Sequence, residues 1–149
     1  MYLLTVRIRM FPAEHAQYWH QNLLDHFFYA AEDRMAALHG IEARSVRNKY
    51  LKDLFVQWRG VLAAYDEGLI KGDAVMAAAV WRNVFGGRED VDAVHVAQVV
   101  SWMKRSLQGL EGTRDAEIAG GRVSFADPAR EKREVEKESR GVKEAFVDA

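Results

Sequence analysis

The sequence predicts an all-α protein: a single compact domain of about five helices, including long antiparallel helices, followed by a charged C-terminal tail. Apolar residues recur at intervals of three and four over most of residues 3–107, the spacing that keeps side chains on one helix face. The composition, 49% hydrophobic and 29% charged over 149 residues, is that of one globular domain with one core. Glycines and prolines lie between the periodic segments and predict where the helices end.

The first segment, residues 4–10, is open to two interpretations. Its apolar and polar side chains alternate as they do in a strand. No second segment offers an edge for pairing, and one isolated strand is not stable in water. Leu3, Val6 and Met10 also share a helix face, and we therefore predict a helix here.

Two long helices are predicted next. Pro12 suits the first turn of a helix, and the wide apolar stripe that follows it ends at His39 and Gly40. A second long stripe starts near Ala43 and runs into a helical hairpin. Gly60 lies inside this stripe, where glycine costs about 1 kcal/mol against alanine, and it predicts that another backbone crosses closely there.

Residues 61–85 form the predicted centre of the domain, two helices joined by a short turn. Gly68 and Gly72 suit the left-handed backbone of such a turn, and Asp73 is the predicted N-cap of the second helix. Alanines early in that helix let backbones approach, and Trp81 adds a bulky anchor. We predict that this second helix is buried and central.

A further amphipathic helix follows Gly86 and Gly87 and ends near residues 109–112. We therefore divide the chain into a helical domain, residues 1–112, and a charged tail, residues 113–149.

The predicted tail has both loop and helix features. Residues 113–126 are typical of a loop, whereas residues 130–140 are almost entirely charged. Asp127 and Pro128 are typical of a helix start, and charge pairs four residues apart favour a helix beyond them. We predict a solvated helix or a partly disordered tail, in which the apolar residues available for docking are Val135, Val142 and Phe146.

Composition excludes several classes of function. The chain has no cysteine, which excludes disulfides, thiolate catalysis and thiolate-bound zinc. No apolar run approaches the roughly 20 residues of a membrane-spanning helix, so any membrane contact is expected to be peripheral. A net charge of -1 argues against non-specific nucleic-acid binding by the whole chain.

No catalytic residue, metal ligand or cofactor is predicted. His15 and His26 share a helix face but lie about 16 Å apart along it, too far to share a metal ion. Asp25 with His26, and Asp66 with Glu67, are adjacent acid–base groups, but no nucleophile accompanies them. Structural ion pairing is the favoured interpretation of these groups, and a small all-α metal-dependent or acid–base enzyme is one alternative.

A row of basic residues follows one flank of the second long helix, and we call it the basic strip: Arg44, Lys49, Lys52 and Arg59. A solvated helix face is one interpretation, since an amphipathic helix carries charge on its outer side. The other is a surface for ribosomal RNA, anionic headgroups or an acidic partner, with Lys49, Lys52 and Arg59 as partner-binding residues. A helical RNA-binding adaptor is therefore a second alternative function.

Short blocks of sequence in a fixed order carry a resemblance to a known family. They are Gln57–Gly60, Ala64–Gly68, Lys71–Asp73 and Trp81–Asn83, preceded by Asp25–Phe28 and Ala31–Met35. Together they resemble the ubiquinol-cytochrome c chaperone family over roughly residues 3–110.

The resemblance implies a non-enzymatic assembly chaperone of respiratory complex III that binds newly synthesised cytochrome b. It also implies a small helical partner protein, association with the mitochondrial ribosome, and a location on the matrix side of the mitochondrial inner membrane. The family-like blocks and their neighbours supply further candidate partner-binding residues: Asp25, His26, Phe28, Asp66, Glu67 and Arg82.

Overall fold

The computed structural model describes residues 1–137, and helices account for most of them. The helices are α1 (Tyr2–Ile8), α2 (Ala13–Ala37), α3 (Arg44–Lys71), α4 (Asp73–Val84), α5 (Ala93–Glu111), α6 (Asp115–Ala119) and α7 (Lys132–Val135), with a 3-10 turn at Pro128–Glu131. The all-α prediction is confirmed, and no strand occurs among residues 1–137. The five predicted helices correspond to α1–α5, whereas α6 and α7 are short additions.

The N-terminal segment is a helix, as predicted. Tyr2, Leu3 and Ile8 belong to the hydrophobic core, and α1 packs against both α2 and α5. The predicted helix face is only partly correct, because Val6 is half-buried and Met10 is exposed. A helix of seven residues is not stable alone in water, so α1 depends on its packing against α2 and α5.

α3 and α4 pack closely against each other. Gly68 lies inside α3 against Met76, and a Cβ added at Gly68 would be 2.7 Å from the Met76 Cα. The turn itself depends on Gly72, whose φ of +100° is in the region that favours glycine. Met76, Ala79 and Val80 are buried, so α4 is the central helix that the sequence predicts.

Two details of the prediction for this hairpin are wrong. The N-cap of α4 is Gly72, and Asp73 is already the first residue of the helix and makes no capping hydrogen bond. Its carboxylate instead accepts a hydrogen bond from Lys104 Nζ at 2.9 Å. Gly60 has no atom within 4 Å of the place where a Cβ would lie, so no backbone crosses there.

α5 closes the core against α1 and α4. Asp92 caps its first turn, accepting from the backbone N–H of Val94 at 2.9 Å. Trp81 lies half-buried at the edge of the core, with its indole N–H donating to the carbonyl of Arg88 at 2.8 Å. The buried residues of α5 are Val96, Val100, Met103 and Leu110.

The chain beyond α5 packs back onto the helices before it. A five-residue helix, α6, lies within the predicted loop and buries Ile118. Asp127 and Pro128 begin the 3-10 turn, with Asp127 capping it as predicted. The division of the chain into a helical domain and a charged tail at residue 112 stays a prediction. Residues 128–135, which belong to the predicted tail, contact α5. Val142 and Phe146 lie outside the described residues.

Candidate partner-binding surface

α2 and α3 form a long hairpin whose outer half leaves the core. The core and the apolar residues packed against it include α2 only up to Leu23 and α3 only from Trp58 onwards. No residue of α2 is buried, and in α3 only Tyr65 and Gly68 are. We call residues 24–57 the arm.

The two helices of the arm hold each other through a small number of contacts. The rings of Phe28 and Phe55 lie 5.9 Å apart between centroids, and Arg47 Nε donates to the Glu32 carboxylate at 3.2 Å. Two helices alone bury only the stripe along which they touch, so other apolar side chains of the arm face solvent. The large exposed ones are Tyr29, Leu38, Val46, Tyr50, Phe55 and Val56.

A shallow apolar groove of about 640 Å³ lies on the arm, and we call it the arm groove. Among its lining residues, Asn48 and Lys52 are polar and the rest are apolar. A groove between helices is a shape that accepts the apolar face of another helix. Its lining residues are Phe28, Asn48, Leu51, Lys52, Phe55 and Val56.

The structure brings two of the predicted partner-binding residues together. Phe28 and Lys52, which belong to different helices, both line the arm groove. Asp25 lies one turn before Phe28 and accepts a hydrogen bond from Gln21 Nε2 at 2.8 Å. His26 is exposed and lines a separate groove of about 470 Å³ between α1, α2 and the α6 region.

Asp66, Glu67 and Arg82 belong to the α3–α4 hairpin and do not line the arm groove. Fourteen residues separate Lys52 from Asp66, which is about 21 Å along a helix. Glu67 accepts from Lys71 Nζ at 2.6 Å, and this contact holds the pKa of the Glu67 carboxyl below its usual value. The predicted partner-binding residues therefore lie in separate regions of the structure, and their part in partner binding stays a prediction.

Asp66 has a structural role within the domain. Both of its carboxylate oxygens accept from Arg9, at 2.8 and 3.0 Å, and the Tyr2 hydroxyl donates to it at 3.1 Å. Burial, together with the bond to Asp66, raises the pKa of Tyr2, so this hydroxyl stays protonated and remains a donor. These contacts attach α1 to α3. A part for Asp66 in partner binding stays a prediction.

The basic strip lies on the surface, as the sequence predicts. Lys49, Lys52 and Arg59 are exposed on α3, and none of them forms an ion pair with another residue of the described part of the chain. Their charges are therefore available to a partner. Lys52 belongs both to the strip and to the arm groove.

The sequence analysis missed Asn48 and three apolar lining residues of the groove, namely Leu51, Phe55 and Val56. A signal for these three was present, because they are apolar residues lying outside the stripe that contains Tyr50 and Leu54. A helix that is apolar beyond one stripe has more than one face to cover.

Residues 1–137 contain neither a membrane-spanning helix nor a metal-binding group of side chains. No helix there is long and apolar enough to cross a membrane. No group of three or more histidine or acidic side chains in that range is arranged to hold a metal ion.

Comparison with known proteins identifies the family. Residues 1–125 match the family described as ubiquinol-cytochrome C chaperone. The chain belongs to this family. The resemblance seen in the sequence is thereby confirmed, and the match extends past residue 112. Since the family is one of chaperones, the prediction that the chain is not an enzyme is also confirmed.

Two named relatives of the chaperone family are longer than this chain. "Protein CBP3, mitochondrial" of Saccharomyces cerevisiae is 37% identical over 127 residues, which are 85% of this chain and 38% of the yeast protein. "Ubiquinol-cytochrome-c reductase complex assembly factor 1" of Xenopus laevis is 26% identical over 92 residues, 62% of this chain and 44% of that protein. The chain thus spans less than half the length of either relative.

A solved structure has the same fold. The crystal structure of the Cbp3 homolog from Brucella abortus matches with a TM-score of 0.67 and 24% sequence identity, covering 87% of this chain and 70% of that one. This likeness supports the all-α assignment, and it shows that the fold also occurs in a bacterial protein.

Proposed function

We propose that the chain is an assembly chaperone for ubiquinol-cytochrome c reductase, respiratory complex III, and that it holds newly synthesised cytochrome b. Family membership supports this proposal, as does the name of the Xenopus relative, a reductase complex assembly factor. The name of the yeast relative, which is mitochondrial, supports a mitochondrial location for this chain. We propose further that it acts on the matrix side of the inner membrane. A small helical partner protein and the mitochondrial ribosome complete the proposed set of partners.

The observation that carries the proposal is the arm, a helical hairpin outside the core that exposes several large apolar side chains. Phe55 and Val56 are 44% and 68% exposed beside the groove, although both are side chains that favour burial. Covering such a side chain with an apolar client helix contributes about 1.5 to 3 kcal/mol when burial is complete. A chaperone for an apolar client requires a surface of this kind, which stays accessible in the folded protein.

We expect Val56→Glu to reduce capture of newly synthesised cytochrome b at least tenfold, because a charge placed beside the groove must lose its water when the client binds. Ile70→Glu is the matched control, since Ile70 is an aliphatic residue of the same helix, 86% exposed and outside the arm. The measurement is co-purification of radiolabelled translation products with the tagged chain from mitochondria that are synthesising protein.

The melting temperatures of both variants should stay close to that of the wild type, because exposed substitutions change stability by about 0.5 kcal/mol or less. Equal capture by Val56→Glu and Ile70→Glu would remove the arm from the client site. If the wild-type chain recovered no cytochrome b, the proposed function itself would be wrong.

The basic strip gives a second test, directed at the ribosome and the small partner. We expect Lys49→Glu combined with Lys52→Glu to weaken co-sedimentation with mitochondrial ribosomes, and wild-type binding to fall as salt screens the charges. Arg59→Glu is added afterwards, because Arg59 belongs to the family-like block Gln57–Gly60, where a reversed charge could disturb the fold. Unchanged binding of both partners would remove the basic strip, including the part of the arm groove that Lys52 lines, from the contact surface.

One outcome of this second test favours the alternative. A chain that binds ribosomal RNA alone through Lys49 and Lys52, with a steep dependence on salt, and captures no cytochrome b would be a helical RNA-binding adaptor.

A further inference from the structure

The chain crosses the outer side of α5 after α6, and we call the crossing segment, residues 122–135, the latch. Glu131 in the latch is only 2% exposed. Its carboxylate accepts from the Ser101 hydroxyl at 2.7 Å and pairs with Arg105 Nε at 2.9 Å. Ser101 and Arg105 lie one turn apart on α5, so they present two donors to one carboxylate.

A second attachment lies at the start of the latch. The indole N–H of Trp102 donates to the carbonyl of Ala126, and the rings of Trp102 and Phe125 lie 6.0 Å apart between centroids. Between and beyond these attachments the latch is solvated, since within it only Val123 and Val135 are half-buried and only Glu131 is buried. The latch thus rests on α5 at a few points.

Glu131 is a buried carboxylate in an otherwise exposed segment, and we call its contact with Ser101 and Arg105 the recognition point. Removing a charge from water is unfavourable unless a fitted set of donors replaces the lost hydration. Ser101 and Arg105 form that set on α5. α5 lies within the 1–125 match to the chaperone family, whereas Glu131 lies beyond it.

A groove continues from this point between α4 and α5, with a volume of about 660 Å³. Ala77, Ala97 and Val100 give it an apolar floor, and Val135 of the latch lies at its edge. Along α5 the groove extends from Ala97 to Gln108, which is about 16 Å, or three helical turns. α7 has only four residues, so within residues 1–137 the latch reaches only part of this length.

We infer that the α4–α5 groove is an interaction surface for a helical segment of a second protein, which carries a carboxylate at the place of Glu131 and an apolar stripe beside it. The latch shows the chemistry of that partner, because it places a carboxylate and an apolar residue on the same surface. In the absence of the partner the latch covers the recognition point in cis. This surface is separate from the arm, and the inference does not depend on the proposed function.

The cis latch competes with any partner, because a tethered segment acts at an effective concentration in the millimolar range. Glu131→Ala removes the buried carboxylate and should leave the donors of α5 free for a carboxylate supplied in trans. The probe is a fluorescein-labelled peptide with the sequence of residues 122–135, titrated against the full chain and followed by fluorescence anisotropy.

We expect Glu131→Ala to bind this peptide at least tenfold more tightly than the wild type. Glu136→Ala is the matched control, since Glu136 is exposed and pairs only with Lys132 among the described residues. Adding Arg105→Gln to Glu131→Ala should abolish the gain, as should a peptide that carries Glu131→Gln.

Binding by Glu131→Ala no tighter than by Glu136→Ala would overturn the inference, and so would equal binding of the peptide with Glu131→Gln. Circular dichroism shows whether Glu131→Ala is folded. If it is not, Phe125→Ala loosens the other attachment of the latch without touching the carboxylate site. Peptide binding by Phe125→Ala no tighter than by the wild type would then reject the inference.

Discussion

Replacing Arg7 by methionine is expected to lower the free energy of unfolding by about 3 kcal/mol, because it removes the hydrogen bonds that a buried guanidinium donates to two carbonyl groups and a carboxylate. Arg7 is 5% exposed in α1. Its guanidinium donates to the carbonyls of Leu110 at 2.8 Å and Thr113 at 2.6 Å, and to Asp115 at 2.6 Å. Urea denaturation measures the loss.

The size of this effect follows from the balance of two terms. Each hydrogen bond from a charged group contributes about 1.5 to 3 kcal/mol, while the arginine's own loss of hydration offsets part of that gain. Leu110 lies in the last turn of α5, and Thr113 directly follows its C-cap, Gly112. The Leu110 carbonyl also accepts from the Thr113 N–H at 3.1 Å, and a cation is favourable at this end of a helix. Arg7 therefore stabilises the end of one helix from another.

Arg9→Met is the control for this prediction. Arg9 lies two residues further on, is about half exposed, and pairs with Asp66 at the surface. An ion pair in that setting contributes about 1 kcal/mol or less. Equal losses for Arg7→Met and Arg9→Met would mean that burial of Arg7 does not determine its contribution.

Gly68→Ala is expected to destabilise the protein by about 2 kcal/mol, whereas Gly60→Ala in the same helix should stabilise it by about 0.5 to 1 kcal/mol. At Gly68 the new methyl group would lie 2.7 Å from the Met76 Cα and 3.0 Å from its backbone N, so α3 and α4 must move apart. Moving the two helices apart lowers the stability by about 3 kcal/mol, and the higher helix preference of alanine offsets about 1 kcal/mol of this loss.

At Gly60 the same methyl group meets open space, and only the helix preference of alanine remains. Thermal unfolding of the two variants should therefore show changes of opposite sign. A destabilised Gly60→Ala would indicate a neighbour that contacts Gly60, as the sequence analysis first predicted. A Gly68→Ala as stable as the wild type would mean that the α3–α4 contact is not tight.

The arm shows how far sequence reasoning reached for the candidate site. Phe28 lies in a family-like block and Lys52 in a regular basic row, so both were found. Phe55 and Val56 belong to neither pattern. Their positions indicate only that α3 is apolar beyond one stripe, and no rule of spacing assigns a solvent-facing apolar residue to a site. Their importance follows from the absence of a neighbouring helix, which only the packing of α2 and α3 reveals.

By itself the sequence determined the helices α1–α5, where glycine ends them, and to which family the chain is similar, whereas the short helix α6 was not predicted. These properties depend on residues within a few turns of one another, because side chains three and four apart share a face. Tertiary structure decided what lies against each face. The bond between Arg7 and Leu110 joins residues 103 positions apart, and Gly68, unlike Gly60, meets a backbone because α4 folds back onto α3. No local pattern encodes such distances, since they depend on how the helices pack as a whole.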